Sequence, residues 1–219
     1  MLTYKEITEN ESIRTYIIRA DESLGALGFT EHSFAHVGNV AENAGYILRA
    51  LDYPNRTVEL AKIAGFLHDI GNVINRVDHS QSGAVMAFRL LDKMDFPPEE
   101  IAVIISAIGN HDEGSGVPVN PVAAALIIAD KADVRKSRVR NAEAITVDIH
   151  DRVNYSVNNS RLWVDTAKKS LVLELNIDTN ISPVMEYFEI FMSRMKMCQK
   201  ASTYLGLDFD LFINEQQMV

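Results

Sequence analysis

Several features that would place the chain in a membrane or in an oxidising compartment are absent from the sequence. Cys198 is the single cysteine, so no internal disulfide can form. There is no run of about 18 uncharged apolar residues, which a membrane-spanning helix would need. The amino terminus, MLTYKE, has no basic segment followed by an apolar one, as an export signal would. These absences predict a cytoplasmic protein without a membrane partner.

The chain is also poor in positive charge. It carries 21 lysines and arginines against 30 aspartates and glutamates, which gives a formal net charge of -9. Non-specific binding to duplex DNA is driven by positive charge, so a long nucleic acid is disfavoured as a partner. A small phosphorylated ligand stays compatible with this charge, because a bound cation can outweigh the mean field of the protein. The expected partner is therefore a small phosphorylated molecule.

Helical periodicity occupies the first two thirds of the chain. Between Ile13 and Arg140, apolar residues recur at helical spacing, and short segments with glycine or proline interrupt them. The pattern predicts helices near residues 8–26, 32–51, 56–70, 79–94, 98–111 and 121–139. We expect a helical bundle that spans residues 1–145.

The pattern changes in the last third of the chain. Leucine or isoleucine occupies every second position from 171 to 177, as in a strand, and residues 153–165 and 208–214 resemble further short strands. A helix is predicted over 183–205, with proline at its start and Gly206 as its stop signal. The predicted fold is mainly α, with a small α+β appendage of strand, strand, helix and strand over 146–219. This appendage could cover an active-site mouth or join two subunits in a homodimer.

Histidines and aspartates near helix ends indicate a metal site. The pair His68-Asp69 follows an apolar helix and precedes a glycine stop, so the negative carboxyl end of that helix would favour a cation. His111 likewise lies at the end of the predicted helix 98–111, just before Gly114. Asp130 lies in an apolar helix, where an ionised carboxylate is costly unless it is paired or metal-bound. Imidazole nitrogen with carboxylate oxygen suits one or two divalent ions of iron, manganese, zinc or cobalt.

Three segments together resemble a known family. They are HVGNVAENAGYIL from residue 36, GFLHDIG over 65–71 and ADKAD over 129–133. Their order, spacing and helical context resemble the H…HD…D signature of the HD-superfamily phosphohydrolases, and the resemblance covers about residues 30–140. The metal ligands that it implies are His36, His68, Asp69 and Asp130. Asp133, one turn after the last of these, would orient a ligand or a water molecule.

Two further histidines resemble the extra ligands of the dinuclear HD branches. These branches include the HD-GYP cyclic-di-GMP phosphodiesterases and the bacterial diadenosine-tetraphosphate hydrolases, and His79 and His111 would hold their second ion. The alternative is that both histidines serve ordinary roles at helix ends. The HD-GYP pattern would have lysine at Asn72, histidine at Asn110 and Gly-Tyr-Pro over residues 116–118. These departures argue against cyclic-di-GMP cleavage and leave a simpler two-metal site intact.

The resemblance implies a metal-dependent phosphohydrolase. Such an enzyme would cleave a phosphoester or phosphoanhydride of a nucleotide or similar small molecule, with a metal-bound hydroxide as nucleophile. Two ions about 3.5–4 Å apart, bridged by Asp69, would lower the pKa of the attacking water. Asp69 and His68 are therefore the predicted catalytic residues.

Other polar side chains have weaker assignments. Arg135 and Arg138, in a basic cluster after the Asp130 helix, could clamp substrate phosphates, since guanidinium groups suit bidentate contacts. The simpler interpretation is that these cations face water and complement the helix dipole. His32 could reach the metal site or be exposed, and His150 is expected in a solvated loop. Cys198 is expected to have no chemical role.

Two other functions fit the same residues. The departures at Asn72 and Asn110 motivate a non-catalytic nucleotide sensor, in which the ligand binds and is not cleaved. A purely structural helical module with incidental histidines is the third hypothesis. Elemental analysis separates this third hypothesis from the first two, and turnover separates the enzyme from the sensor.

Overall fold

The computed structural model describes residues 2–140 and 148–219. Over these residues the α-helices, in chain order, are α1 (Tyr4–Glu9), α2 (Glu11–Ala26), α3 (Phe34–Ala50), α4 (Asn55–Leu67), α5 (His79–Lys93), α6 (Pro98–Gly109), α7 (Pro121–Lys131), α8 (Ile149–Ser156) and α9 (Val184–Tyr204). Short 3-10 turns occur at Ile70–Val73 and Lys136–Arg138. The strands are β1 (Val157–Asp165), β2 (Ser170–Ile177), β3 (Asp208–Ile213) and β4 (Gln216–Gln217). The predicted class, mainly α with a small carboxy-terminal α+β part, is confirmed.

Two predicted helices differ most from those observed. The predicted helix 8–26 is two helices, because the Asn10 side chain accepts hydrogen bonds from the amides of Ser12 and Ile13 and so starts α2 anew. The helix predicted to reach residue 139 ends at Lys131, after which the chain turns so that Arg138 donates to the Asp133 carbonyl. The predicted boundary between residues 145 and 146 lies outside the described residues.

The strand predicted to begin at residue 153 begins at Val157, because α8 precedes it. The Asp148 side chain accepts hydrogen bonds from the amides of His150 and Asp151 and caps this helix. His150 is therefore an exposed residue in the first turn of a helix, and the prediction of a loop at this position was wrong.

A small sheet forms the carboxy-terminal part. β1 and β2 form an antiparallel hairpin, β3 pairs in parallel with β2 after the crossover helix α9, and β4 returns antiparallel to β3. α9 packs against both β3 and the bundle helix α7. The appendage is thus fixed to the bundle beside the helix that carries Asp130.

α7 is the central helix of the bundle. All its side chains from Val122 to Ala129 are buried, so it has no solvent face, and its three consecutive alanines let neighbouring helices approach closely. α3, α4, α6 and α9 pack around it. Within residues 2–140 and 148–219, no helix is both long and apolar enough to cross a membrane.

Candidate metal centre

The six side chains predicted as ligands meet at one place. They are His36 in the first turn of α3, His68 and Asp69 just beyond α4, His79 at the start of α5, His111 just beyond α6 and Asp130 near the end of α7. The ligand atoms of His36, His68 and Asp130 lie within 4.8 Å of one another, and so do those of His68, Asp69 and His111. Helix packing thus brings distant parts of the chain to one cluster that could hold a metal.

Asp69 lies between the two halves of the cluster. Its Oδ2 is 3.4 Å from Nε2 of His36 and 3.1 Å from Nε2 of His68, whereas its Oδ1 is 3.4 Å from Nε2 of His79. The Nε2 atoms of His79 and His111 are 3.2 Å apart. On the other side, Asp130 Oδ1 is 3.5 Å and 3.7 Å from the Nε2 atoms of His36 and His68. One carboxylate is therefore placed to serve both halves.

The opposite nitrogen of each imidazole is already hydrogen-bonded. His68 Nδ1 lies 2.8 Å from the Gly65 carbonyl oxygen, and the Nδ1 atoms of His79 and His111 lie 3.1 Å and 2.6 Å from backbone carbonyls one turn earlier. His36 Nδ1 lies 2.7 Å from Oδ2 of Asp133. Each of these oxygens can only accept, so each Nδ1 carries the proton in the neutral ring and leaves a lone pair on Nε2. All four lone pairs point into the cluster.

Two of these Nε2 atoms have no hydrogen bond. Among the described residues, Nε2 of His36 and Nε2 of His68 are buried without a hydrogen-bond partner, although carboxylate oxygens lie nearby. Buried polar atoms almost always have a partner, and an unpaired one suggests an ion or a water molecule at that point. Imidazole nitrogens and carboxylate oxygens together fit a divalent transition metal.

The electrostatics of the cluster favour a cation. Burial opposes the charge on the Asp69 carboxyl, but His68 and His36 offset this and hold its pKa well below the usual range. Burial likewise opposes charge on His68, yet Asp69 and Asp130 raise the pKa of that imidazole to about 10. Burial lowers the pKa of His79 and, more strongly, of His111, which keeps both rings neutral. The two carboxylates thus favour a positive charge at Nε2 of His68, and a bound metal ion would supply that charge in place of the proton.

Asn72 supports the cluster where the HD-GYP pattern has lysine. Its Nδ2 donates to the backbone oxygen and to Oδ1 of Asp69, both at 2.9 Å. The amide therefore orients the carboxylate between the two halves. A lysine at this position would instead add a positive charge beside Asp69. Asn110, the other departure, donates from its side chain to the Ser106 carbonyl and stabilises the end of α6.

Gly71 allows α5 to start against the turn that follows Asp69. A Cβ at this position would lie 2.0 Å from the His79 carbonyl oxygen and 2.5 Å from the Gly83 amide nitrogen. We expect Gly71→Ala to lower the free energy of unfolding by about 1–3 kcal/mol, because backbone must move, and to displace His79. Urea denaturation measures this. The control is Gly38→Ala, where the new Cβ meets nothing within 4 Å and the helix should gain up to about 1 kcal/mol. Equal stability of the two variants would contradict the prediction.

A cavity of about 450 Å³ leads to the cluster, and Asp69, His79, His111 and Asp130 line it. Its wall also holds four cationic side chains, which are Arg76, Lys131, Arg138 and Arg194, and three further carboxylates, which are Glu113, Asp148 and Asp151. The aromatic rings of Phe29 and Phe191 line it as well. The cavity can therefore accept an anion beside the cluster and an apolar group next to it.

Three of these cations, Arg76, Lys131 and Arg194, had no role assigned from the sequence. Lys131 is only 5% exposed, and its Nζ lies 2.7 Å from Oδ2 of Asp130 and 3.1 Å from Oε1 of Glu113. A lysine in an apolar helix next to Asp130 was a usable signal, since burial of a lone ammonium is costly. Arg194 donates to Glu113 at 2.7 Å from the appendage helix α9, and no local pattern marked it.

The remaining predicted positions are distributed around the cluster. Arg138 lines the cavity, but its Nε and Nη1 donate to the carbonyls of Glu31 and Asp133, so it also fixes the fold. Arg135 lines a separate cleft, because it turns back to donate to Asp133 and Glu31. His32 lines the cavity, with its ring centroid 5.3 Å from that of His36. Substrate contact by either arginine stays a prediction.

The fold and the cluster define a helical domain with a histidine-aspartate centre, and sequence comparison gives its family. The model of the HD domain family matches residues 33–155, more than half of the chain, so the chain belongs to this family. HD domains bind divalent metals, which agrees with the cluster of histidines and aspartates.

Two individual proteins are similar to this chain. The uncharacterized protein MJ1020 of Methanocaldococcus jannaschii is 26% identical over 162 residues, which are 64% of this chain and 62% of that protein. The chain therefore spans less than two thirds of this curated relative. A solved structure of a predicted HD superfamily hydrolase from an uncultured Thermotogales bacterium is 27% identical, with a TM-score of 0.47, over 66% of this chain and 79% of that one.

Proposed function

We propose that this protein is a metal-dependent phosphohydrolase that cleaves a phosphoester or phosphoanhydride bond of a small phosphorylated molecule, of the nucleotide class. The observation that carries the proposal is the convergence of the Nε2 atoms of four imidazoles on Asp69, beside a cavity that Arg76, Lys131, Arg138 and Arg194 line. Phosphate esters are anions, so bound divalent ions together with these four cations would attract them to the centre.

The proposed ligand sets follow the two halves of the cluster. The first ion would be held by His36, His68, Asp69 and Asp130. The second would be held by His79 and His111, with Asp69 shared. Divalent ions held by these residues would supply Lewis-acid chemistry, which polarises a phosphoryl oxygen and activates water. Asp133 and Asn72 would keep His36 and Asp69 oriented for that purpose.

The cationic side chains would bind the phosphate. Lys131 lies against Asp130, so its ammonium group is placed beside a proposed ligand and faces the cavity. Arg76 is 4.0 Å from Oδ1 of Asp69 on the side of the second half. Arg194 reaches the same cavity from α9. These groups would neutralise the charge of the phosphate and hold it against the centre.

The size and apolar lining of the cavity support a nucleotide-sized substrate. Small-molecule sites have volumes of about 300–1,000 Å³ and bury apolar groups against aromatic side chains. The cavity measures about 450 Å³, and Phe29 and Phe191 line it. A mononucleotide has both a phosphate for the cationic end and a flat base for the aromatic rings.

The deciding experiment combines metal analysis with a substrate screen. Protein purified without chelator should contain stoichiometric transition metal. After loading with manganese, iron, zinc or cobalt, it should release phosphate from members of a panel of nucleoside monophosphates, triphosphates and dinucleoside polyphosphates. Tight nucleotide binding without cleavage by the loaded protein would instead favour a sensor. Loaded protein that neither binds nor cleaves any member of the panel would contradict the proposal.

Arg194 offers a test of phosphate binding that leaves the metal cluster intact. We expect Arg194→Ala to raise KM about tenfold, because a hydrogen bond to a charged group is lost, and to change kcat less. Steady-state kinetics with metal-loaded protein measures both constants. Lys200→Ala, an exposed cation later on the same helix, is the control and should not change KM. If both variants have the KM of the wild type, Arg194 does not contact the substrate.

A further inference from the structure

One part of the cavity wall has no role in the chemistry described above. It is formed by the start of α8, where Asp151 and Asn154 line the same cavity as Asp69 and Asp130. Residues three apart on a helix lie on one face. We name these two side chains the acceptor pair. This pair lies in a segment that the sequence had placed partly in a loop and partly in a strand.

Asp151 is a buried carboxylate without a partner. It is 8% exposed, and within residues 2–140 and 148–219 its carboxylate makes no hydrogen bond and no ion pair. Burial, and then the nearby Asp148 carboxylate, raise the pKa of Asp151. The carboxylate oxygens remain open to the cavity, so a ligand there that donates hydrogen bonds can reach them.

Asn154 presents a second acceptor one turn later. It is 6% exposed, and its Nδ2 donates to the His150 carbonyl at 2.8 Å. This bond uses one of the two N–H groups of Nδ2, fixes the orientation of the amide and leaves Oδ1 as an acceptor. Asp148 also lines the cavity, but its carboxylate already accepts from two backbone amides at the helix start. The acceptor pair therefore offers hydrogen-bond acceptors to whatever occupies the cavity.

We infer that the acceptor pair binds the vicinal hydroxyl groups of a sugar, so that the substrate of the proposed phosphohydrolase is a phosphate ester of ribose or a related sugar. Two neighbouring acceptors match two neighbouring hydroxyl donors, and a carboxylate is a strong acceptor for them. This inference rests on the proposed function for the phosphate end of the ligand, and it adds the chemistry of the other end.

An ammonium-bearing phosphate ester fits the wall less well. One member of the pair is a neutral amide, which offers an ammonium group no opposite charge. Two vicinal hydroxyl groups can instead donate one hydrogen bond to each acceptor.

The test measures binding of ligands that cannot be cleaved. Adenosine 5′-phosphonates, in which a methylene group replaces the ester oxygen, are titrated calorimetrically into metal-loaded protein in the ribo, 2′-deoxy and 3′-deoxy forms. We expect the wild type to bind the ribo form about 10- to 100-fold more tightly than at least one deoxy form, as for a lost hydrogen bond to a charged group. Asp151→Asn should lose most of this preference, and it should bind the deoxy forms as the wild type does.

The controls separate this inference from the proposed function. Asp92→Asn, on the exposed face of α5, should keep the full preference. The ribose 5-phosphonate without a base distinguishes sugar phosphates from nucleotides. Because these ligands bind without cleavage, the result does not depend on turnover, which decides the proposed function separately. Equal binding of ribo and deoxy forms by the wild type, a preference retained in Asp151→Asn, failure to bind any of these phosphonates or tighter binding of aminoethylphosphonate would overturn the inference.

Discussion

Replacement of Asp69 by asparagine should remove both the bound metal and phosphate release, while the helical circular dichroism remains. Among the residues that the structure describes, Asp69 is the one carboxylate within 3.4 Å of Nε2 atoms in both halves of the cluster. The amide is neutral, so the cluster would lose one of the two negative charges that face His36 and His68. An amide oxygen is also a poorer ligand for a transition metal than a carboxylate. We therefore expect turnover at the background level, measured together with elemental analysis.

The control for this variant is Asp95→Asn. Asp95 has a positive φ of 57°, a conformation that asparagine adopts readily, and it is exposed at the end of α5. This variant should keep both metal and activity. If Asp69→Asn retains stoichiometric metal, Asp69 is not a ligand. If wild-type protein holds no metal even after reloading, the histidines are incidental to function.

The sequence predicted the cluster well because helix ends leave local signals. A histidine before a glycine stop, or an aspartate in an apolar helix, can be recognised without knowledge of the packing, and the HD resemblance joined these positions. His68, Asp69 and His111 follow helices that end where they were expected to end, within about three residues. Position relative to a helix end thus marked candidate ligands, and the resemblance to the HD phosphohydrolases predicted which of these side chains meet.

The substrate side of the cavity could not be predicted in the same way. α8 was missed because residues 153–156 have the polarity of a strand and the start of the helix depends on one capping side chain, Asp148. Asp151 and Asn154 consequently had no predicted place. Arg194 lies 64 positions after Asp130, and only the packing of α9 on α7 brings its side chain to the cavity. Long-range packing of this kind leaves no pattern in a local stretch of sequence.

The end of α7 shows a third limit. Apolar residues continue to Val134, so periodicity extends the helix beyond Lys131, where it stops. The chain leaves the helix at the point where the Asp133 carboxylate can bond His36, and Arg138 holds the Asp133 carbonyl in that position. Here the hydrogen bonds that Asp133 forms with His36 and Arg138 outweigh the local helix propensity. Asp133 therefore forms a direct hydrogen bond with His36, which a continued helix would not predict.

Asp133 should therefore be a positioning residue with a large effect on metal affinity. Its Oδ2 accepts from Nδ1 of His36 at 2.7 Å, and its Oδ1 accepts from Nε of Arg135 at 3.0 Å. Asparagine has one acceptor oxygen, so Asp133→Asn must present an NH2 group to one of these two donors. Either His36 or Arg135 would then lose its partner. Carboxylates that orient a metal-binding histidine contribute about 10- to 100-fold to metal affinity or activity, and we expect a loss of this size.

Competition with a chromophoric chelator measures the metal affinity of Asp133→Asn, and thermal unfolding of the metal-free protein checks its fold. A positioning role predicts that excess metal restores most of the turnover, because the ligands themselves are still present. Arg135→Ala is the matched comparison: it removes one donor to Asp133 but leaves the bond to His36, so its effect on affinity should be smaller. A variant with normal metal affinity and normal turnover would show that the hydrogen bond to His36 is dispensable. Loss of turnover that excess metal cannot restore, at unchanged thermal stability, would instead place Asp133 in the reaction itself.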